Sequence, residues 1–360
     1  MLIFLLGSLG DTLVALPALH LVARRFPSSR RRVLTDRSTH PKAASMATLL
    51  EGTELVHDYF WFPAPTEGRS RLGPMMSLAK QIRAWKPDVL IYMHEQRGLK
   101  IAIRDAAFFR LIGIRRVIGI PLTRDLQRRA YNEQTELFEH RSEYLARSLA
   151  ELGDPKLALR SSWDLNISHT EHAQAAAAID ALSQCPGMLA MSIGTKADAN
   201  DWGDANWRSL LESLGGQLPG WGLVALGAPV ERERTAEILS SWSGPKLNLC
   251  GALSVRESGA VLQRASLFVG HDSGPMHLAA AVGTPCAAIF SARNLPGIWF
   301  PHGTHHKVFY KRTECAGCQL TTCVEFKKKC ITAVTVEEVT TSVMRMLERK
   351  HPQTQNQHVA

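Results

Sequence analysis

The stretch from Leu267 to Phe290 limits what this chain can fold into more than any other. A short apolar run, Leu267 to Val269, enters a turn through Gly270 to Gly274, and a small-residue helix from Pro275 to Val282 follows. Gly283-Thr284-Pro285 then leads into a second apolar run, Cys286 to Phe290. Strand, helix and strand at this spacing make a βαβ unit, which demands a parallel sheet with helices over it. Pro275 suits the first helical position, and Ala279, Ala280 and Ala281 let the helix lie close to its sheet. Asp272, Ser273 and Gly274 stand at the helix start, with His277 next to them. Free backbone N–H groups and the positive end of the helix dipole there suit a phosphate. Most βα turns are only connections; the acid, hydroxyl, glycine and histidine together make this one a candidate site.

The rest of the chain repeats the pattern. Leu2 to Leu6 reads as a strand, Gly7 to Asp11 as a glycine-bearing turn, and Thr12 to about Ala23 as a helix that Pro17 should kink or start late. The loop is Gly-x-x-Gly-Asp, not the dinucleotide fingerprint, so a nicotinamide-dependent dehydrogenase is poorly supported. An ionised acid at the mouth of the loop would repel a pyrophosphate. Asp11 suits proton acceptance better, and a helix cap is its plain alternative. Strands are expected at Arg32 to Asp36, Leu55 to Tyr59, Pro87 to Tyr92 and Arg116 to Ile120, with a polar loop from Pro63 to Gly73. The Pro87 strand ends in Met93-His94-Glu95-Gln96-Arg97, at the strand end where ligands collect in open α/β sheets.

A strand-like Trp163 to Ile167 and an alanine-rich helix mark the boundary between halves. Beyond it come strands at Met188 to Ile193, Gly222 to Leu226 and Lys246 to Leu249, with loops Gly194-Thr195-Lys196 and Gly227 to Glu231. A Thr335-x-x-Glu338 capping box opens a last amphipathic helix. The expectation is an α/β protein of two doubly wound, Rossmann-like domains, 1–165 and 166–349, with a ligand in the cleft between them and a disordered tail over 350–360.

Apolar content of 45% and charged content of 21% describe a soluble globular chain. No apolar run reaches the length of a membrane span, and the apolar N-terminus lacks the basic segment of a signal peptide. A cytoplasmic protein is expected. The net charge of +9 clusters in the first half, at Arg24-Arg25, Arg30 to Arg32, Arg115-Arg116 and Arg128-Arg129. No nucleic-acid-binding motif accompanies it, so nucleic acid is not an expected partner. An anionic membrane surface or a phosphorylated acceptor fits, and so does a plain solvated surface.

Two segments carry a family resemblance. Gly7 to Leu19 (GSLGDTLVALPAL) and Gly270 to Ala281 (GHDSGPMHLAAA) resemble the ADP-heptose:lipopolysaccharide heptosyltransferases of glycosyltransferase family 9. The resemblance spans Met1 to about Arg349. It implies a GT-B fold, with nucleotide sugar bound by the C-terminal half, acceptor by the N-terminal half, and a final helix crossing back towards the first domain. It implies that Asp11 is the general base of an inverting transfer of heptose from ADP-heptose to a lipopolysaccharide core or related glycan. On the same basis Thr195 and Lys196 contact phosphate, Lys196 with a catalytic role. Gly274, Pro275, Met276 and His277 supply helix-terminus contacts, and Glu231, Asp272 and Ser273 engage the nucleotide. Gly10, Thr12, Glu95 and Arg97 fall on the acceptor side. No cofactor is then required for catalysis, because lysine, hydroxyl and helix terminus stabilise the leaving diphosphate. One departure stands out: where the family often has a lysine two residues before a tryptophan, this chain has Asn200.

Cys315, Cys318, Cys323 and Cys330 fall within sixteen residues. Four such thiols in a cytoplasmic chain suit a structural Zn or Fe ion better than disulfides, with free thiols or redox pairing as alternatives. The chemistry also leaves open a GT-B transferase using another nucleotide sugar, a sugar-nucleotide epimerase, and a non-catalytic nucleotide- or glycan-binding homologue. On the resemblance, the enzyme works in the cytoplasm, peripherally at the inner face of the inner membrane.

Overall fold

Two parallel sheets organise the protein, a computed structural model that describes residues 1–37, 44–63 and 72–350. The expected loop over 63–73 and the tail over 350–360 fall largely outside these residues. The chain divides into two units, Met1–Asn166 and Ile167–Ala360.

In the first unit, β1 (Leu2–Phe4) is central and wholly apolar. Two helices follow, α1 (Leu9–Val14) and α2 (Leu16–Arg25), then β2 (Arg32–Asp36), α3 (Met46–Leu50) and β3 (Asp58–Phe62). The expected single helix from Thr12 is thus broken at Ala15, with Pro17 in the first turn of the second piece. The chain returns through α4 (Leu72–Trp85) to β4 (Val89–Tyr92), and through α5 (Leu99–Leu111) to β5 (Arg116–Ile118). A small antiparallel hairpin, β6 (Tyr131–Asn132) and β7 (Leu137–Phe138), precedes α6 (Arg141–Ser148). Sheet order is β3-β2-β1-β4-β5, all parallel, so the winding reverses between β1 and β4. Leu2, Phe4, Leu34, Phe60, Leu90 and Tyr92 form one apolar face, covered by Leu78 and Ile82 of α4 and Phe109 of α5.

Two expectations shift here. The third strand lies later than Leu55 to Tyr59. The Leu55 and Glu54 carbonyls accept from the buried Arg31 guanidinium at 2.9 and 2.8 Å, which holds that backbone in a turn. Trp163 to Ile167 is no strand; a 3₁₀ turn covers Arg160–Trp163, and the Trp163 indole donates to the Leu157 carbonyl at 2.8 Å.

The second unit repeats the logic with six strands. After α7 (His169–Ala178) come β8 (Met188–Ser192), α8 (Asp204–Gln217), β9 (Gly222–Ala225), α9 (Arg232–Leu239) and β10 (Lys246–Asn248). Then follow α10 (Val255–Arg264), β11 (Leu267–His271), α11 (Gly274–Ala281), β12 (Cys286–Phe290) and β13 (Lys307–Tyr310). The order β10-β9-β8-β11-β12-β13 is again parallel throughout and reverses between β8 and β11. A short α12 (Lys329–Thr332) leads to α13 (Val336–Lys350), whose Val339, Val343 and Leu347 join the core with Trp202, Trp207 and Trp242. Among the described residues no helix is long and apolar enough to cross a membrane.

Candidate active site

In each unit the residues singled out above gather at the carboxyl ends of the strands beside the winding reversal, where an open α/β sheet leaves a crevice. In the first unit those ends belong to β1 and β4, paired Phe4 with Tyr92. Asp11 is the third residue of α1, because the helix begins at Leu9 rather than at the expected Thr12. Its Oδ2 accepts the Ser8 N–H at 2.7 Å and the Ser8 hydroxyl at 3.2 Å, closing a capping box. The helix-cap geometry is therefore real, and it fixes the carboxyl in one orientation. Gly7 makes this possible: at φ +134° it favours glycine, and a Cβ there would come within 2.5 Å of Asp11 Oδ2. Burial raises the Asp11 pKa; the Ser8 backbone bond and the nearby positive charge of Arg141 oppose the rise.

The other expected first-unit residues have mixed fates. Thr12 is buried, and its hydroxyl donates to the Ser8 carbonyl at 3.1 Å, so it braces the turn. Gly10 lies within α1. Glu95 pairs with Arg129 at 3.0 Å, and Arg97 reaches the buried Asp105 at 3.2 Å. Two arginines that sequence reasoning did not place at the site stand out. Arg141 is buried at the start of α6 and donates through Nη2 to the Met93 carbonyl at 2.7 Å, while its Nη1 has no partner. Arg129 also keeps one Nη1 unpartnered, and both guanidinium groups pack over the Tyr144 ring, at 5.1 and 5.3 Å. Beside them His94 Nδ1 and Gln96 Oε1 are buried and unpartnered, and burial lowers the His94 pKa to about 4. The one signal in the sequence was a cation in the first turn of a helix, where the dipole disfavours it.

The second-unit site is built mainly from main chain and small residues. Ser273 is the N-cap of α11, so the helix starts at Gly274 and Pro275 is its second residue. Asp272 Oδ2 accepts from the Asn294 amide at 3.2 Å, and its Oδ1 lies 3.6 Å from His277 Nε2. His277 is buried edge-on to Trp299, 6.0 Å between centroids. Met276 is fully buried; only its backbone is available to a ligand, which narrows the contact expected of it. Thr195 donates to the Ala197 carbonyl at 3.2 Å, and Lys196 is exposed on the same loop after β8. Glu231 is buried, and its Oε2 accepts the Ala228 N–H at 2.9 Å. A Cβ on Gly194 would overlap that carboxyl, so the glycine after β8 holds space for Glu231. Asn200 is buried as well: its carbonyl accepts the Ser291 hydroxyl, and its amide donates to the Asp272 carbonyl at 3.4 Å. It ties the β8 loop to the β11 turn.

The cysteine cluster does not assemble as expected. All four are free thiols. Cys318 is exposed, the Cys323 sulfur accepts the Lys328 N–H at 3.4 Å, and Cys330 sits in α12, where burial raises its pKa. Among the described residues, no group of three or more His, Cys, Asp or Glu is placed to hold a metal ion. The expected Zn or Fe site is therefore not supported.

Comparison with known proteins bears on the geometry. The model of glycosyltransferase family 9 (heptosyltransferase) matches residues 75–329. Lipopolysaccharide heptosyltransferase 3 of Escherichia coli is 22% identical over 301 residues, 79% of this chain and 81% of that protein. Among solved structures, a glycosyl transferase family 9 protein from Veillonella parvula is similar over 97% of both chains, with TM-score 0.70 and 17% identity. E. coli heptosyltransferase WaaC with ADP is similar over 96% of this chain and all of that one, with TM-score 0.59 and 18% identity. Matching folds over nearly whole chains make this a GT-B fold, and with the family model covering most of the sequence, the chain belongs to glycosyltransferase family 9, the heptosyltransferases, and is a glycosyltransferase.

Proposed function

We propose that the enzyme is an inverting transferase that moves heptose from ADP-heptose to a lipopolysaccharide core or related glycan. The observation that carries the reading is the Asp11 carboxyl, fixed by Ser8 and desolvated beside the strand-end crevice of the first unit. A carboxylate so held suits a general base. It takes the proton from an acceptor hydroxyl as that oxygen attacks the anomeric carbon. The bond from that carbon to the terminal phosphate oxygen breaks, and ADP departs with the electron pair. The second unit holds the nucleotide. Lys196, Thr195 and the α11 N-terminus offset the charge growing on the diphosphate, and Glu231 and Asp272 engage the nucleoside, Glu231 through ribose hydroxyls. Lys196, on the same loop, supplies the cation that Asn200 cannot. Transfer then needs no cofactor. The ADP in the WaaC structure supports an adenine nucleotide as the donor's leaving group. A lipid-linked acceptor makes the enzyme peripheral to the inner face of the cytoplasmic membrane.

The test compares thermal stabilisation by ADP, ADP-heptose, UDP-sugars and GDP-sugars, then follows heptose transfer by wild type and Asp11→Asn. A ligand at a hundredfold excess over its Kd adds about 2.7 kcal/mol of apparent stability. Stabilisation by ADP compounds alone, with transfer lost in Asp11→Asn, is expected. A response to UDP- or GDP-sugars instead would discard the donor. Full turnover by Asp11→Asn would discard the base.

A further inference from the structure

Part of the basic surface expected from the arginine runs of the first half is spent within the fold. Arg31 is buried among backbone carbonyls, Arg32 pairs with Asp58 at 2.7 Å, Arg116 pairs with Glu151 at 3.0 Å, and Arg129 is enclosed beside Glu95. Arg25, Arg30, Arg115 and Arg128 stay exposed, and a second set of cations lies on α4 and α5. Both helices cover the same face of the sheet, sharing one core through Leu78, Ile82 and Phe109, as two right-handed crossovers in one direction require. Their outer sides carry a group of large apolar side chains that the fold leaves uncovered. Leu72 and Met76 on α4, and Leu99, Ile103 and Leu111 on α5, are between 47% and 80% exposed. On α5 these recur with Ala107 at every fourth position, forming one stripe.

Charge complements this apolar layer. From residue 72 to residue 116 the sequence has nine Lys and Arg against three acids. Of the acids, Asp105 is buried and spent on Tyr92, Arg97 and Arg104, and Glu95 is spent on Arg129. Among the described residues Lys80, Lys100 and Arg110 pair with no acid. An exposed apolar stripe flanked by unpaired cations is the composition of a helix that lies in a lipid headgroup layer, its apolar side in the acyl boundary and its cations on anionic heads. A soluble monomer seldom leaves a large apolar patch uncovered without a partner. The first turns of α4 and α5 also sit at the carboxyl end of the strands, the end of the sheet that carries Asp11.

We infer that the outer face of α4 and α5 is a docking surface for an anionic lipid bilayer, with Met76, Leu99 and Ile103 inserted and Lys80, Lys100 and Arg110 on phosphate headgroups. This deepens the lipid-linked-acceptor reading, on which its biological sense rests. The binding itself is measured without donor or acceptor, so the two can fail separately. The experiment is vesicle flotation of the full chain, on phosphatidylcholine alone and on equal parts phosphatidylcholine and phosphatidylglycerol, at low and high salt. Wild type is expected on the anionic vesicles only, with binding weakened by salt. Leu99→Ser/Ile103→Ser should reduce bound protein by about tenfold or more at equal lipid. Lys100→Glu/Arg110→Glu should abolish the preference for anionic lipid. These residues are exposed, and an unchanged urea unfolding midpoint checks that each variant is folded. Absence of wild-type binding, or equal binding by wild type and the serine variant, overturns the inference. So does a wild-type dimer in solution that the serine variant dissolves, because the stripe would then be covered by a second copy of this chain.

Discussion

The two strand-end sites solve recognition in opposite ways. In the second unit the polar groups of the loops are contributed by short, contiguous segments and pair with one another, Asp272 with Asn294, Glu231 with the Ala228 backbone and Asn200 with Ser291, while Ser192 Oγ and His271 Nδ1 at the strand ends stay buried without partners. In the first unit Asp11, His94, Arg129 and Arg141 arrive from four separate segments, and several of their polar atoms remain buried without partners. Buried groups left unpaired are costly. A site that keeps them is built to be completed by its ligand. On the proposed reading, the second site is a preformed cradle for the nucleotide, whereas the first holds charge in reserve for the acceptor.

Cross-wise substitution gives the largest effects. Asp11→Asn keeps the shape and the Ser8 contacts but loses the proton acceptor, so kcat should fall about 10²- to 10⁴-fold while stabilisation by ADP is unchanged. Gly194→Ala should do the reverse. Its methyl group displaces Glu231, so the ADP response should vanish while the fold survives. If Asp11→Asn also lost ADP binding, the division of labour between the units would be wrong.

Next comes Arg141. Replacing it by Gln removes the bond to the Met93 carbonyl and a buried charge near Asp11. A loss of about 1.5–3 kcal/mol in urea unfolding is expected from a hydrogen bond made by a charged group. The activity profile should move too. Arg141 pulls the Asp11 pKa down, so without it the pKa rises and the acid limb of kcat/KM shifts to higher pH. An unshifted limb, at any stability, would separate Arg141 from the base.

Much of this comparison was legible in the sequence for the second unit and little of it for the first. The nucleotide-side motif is local: Asp272 to His277 are consecutive, and a helix N-terminus needs only a strand, a turn and a proline to be foreseen. The winding reversal that brings β1 beside β4 is a long-range fact. No spacing reveals that Arg141 lies behind Met93, or that Arg31 is buried while Lys100 is unpaired. Helix positions hid the apolar stripe of α5, because both its faces carry leucine, isoleucine or phenylalanine and only packing separates them. The cysteines are a related case: nearness in sequence does not by itself impose the tetrahedral ligand geometry of a metal site.

The two histidines at the strand ends offer a test of smaller size. His94, after β4, and His271, the last residue of β11, are each pushed by burial to about 4. The unfolded chain protonates near 6.5. Between those values it binds more protons than the folded state, so folding stability is full above pH 6.5 and falls as pH drops towards 4. Each site contributes up to about 3 kcal/mol of that loss. His94→Gln and His271→Gln should each flatten the acid limb of stability against pH, measured by urea midpoints. His271→Gln should cost more at neutral pH, because Nε2 accepts the Trp202 N–H at 3.0 Å. An unchanged acid limb in either variant would mean that its imidazole is already solvated.

The finest distinction concerns the missing lysine. If Lys196 supplies the cation for the leaving diphosphate, Lys196→Ala should lower kcat by about tenfold to a hundredfold, the worth of one charged hydrogen bond, with stability unchanged because the side chain is exposed. Restoring the family's residue by Asn200→Lys should not rescue it. Asn200 is enclosed between Ser291 and the Asp272 carbonyl, so the longer side chain would open the tie between the two loops and leave a charge where a neutral amide fits. The double variant should therefore be less stable than Lys196→Ala and no faster. Rescue of turnover by Asn200→Lys would show instead that the β8 loop accepts a cation from either position, and that the cradle of the second unit is less rigid than its hydrogen bonds indicate.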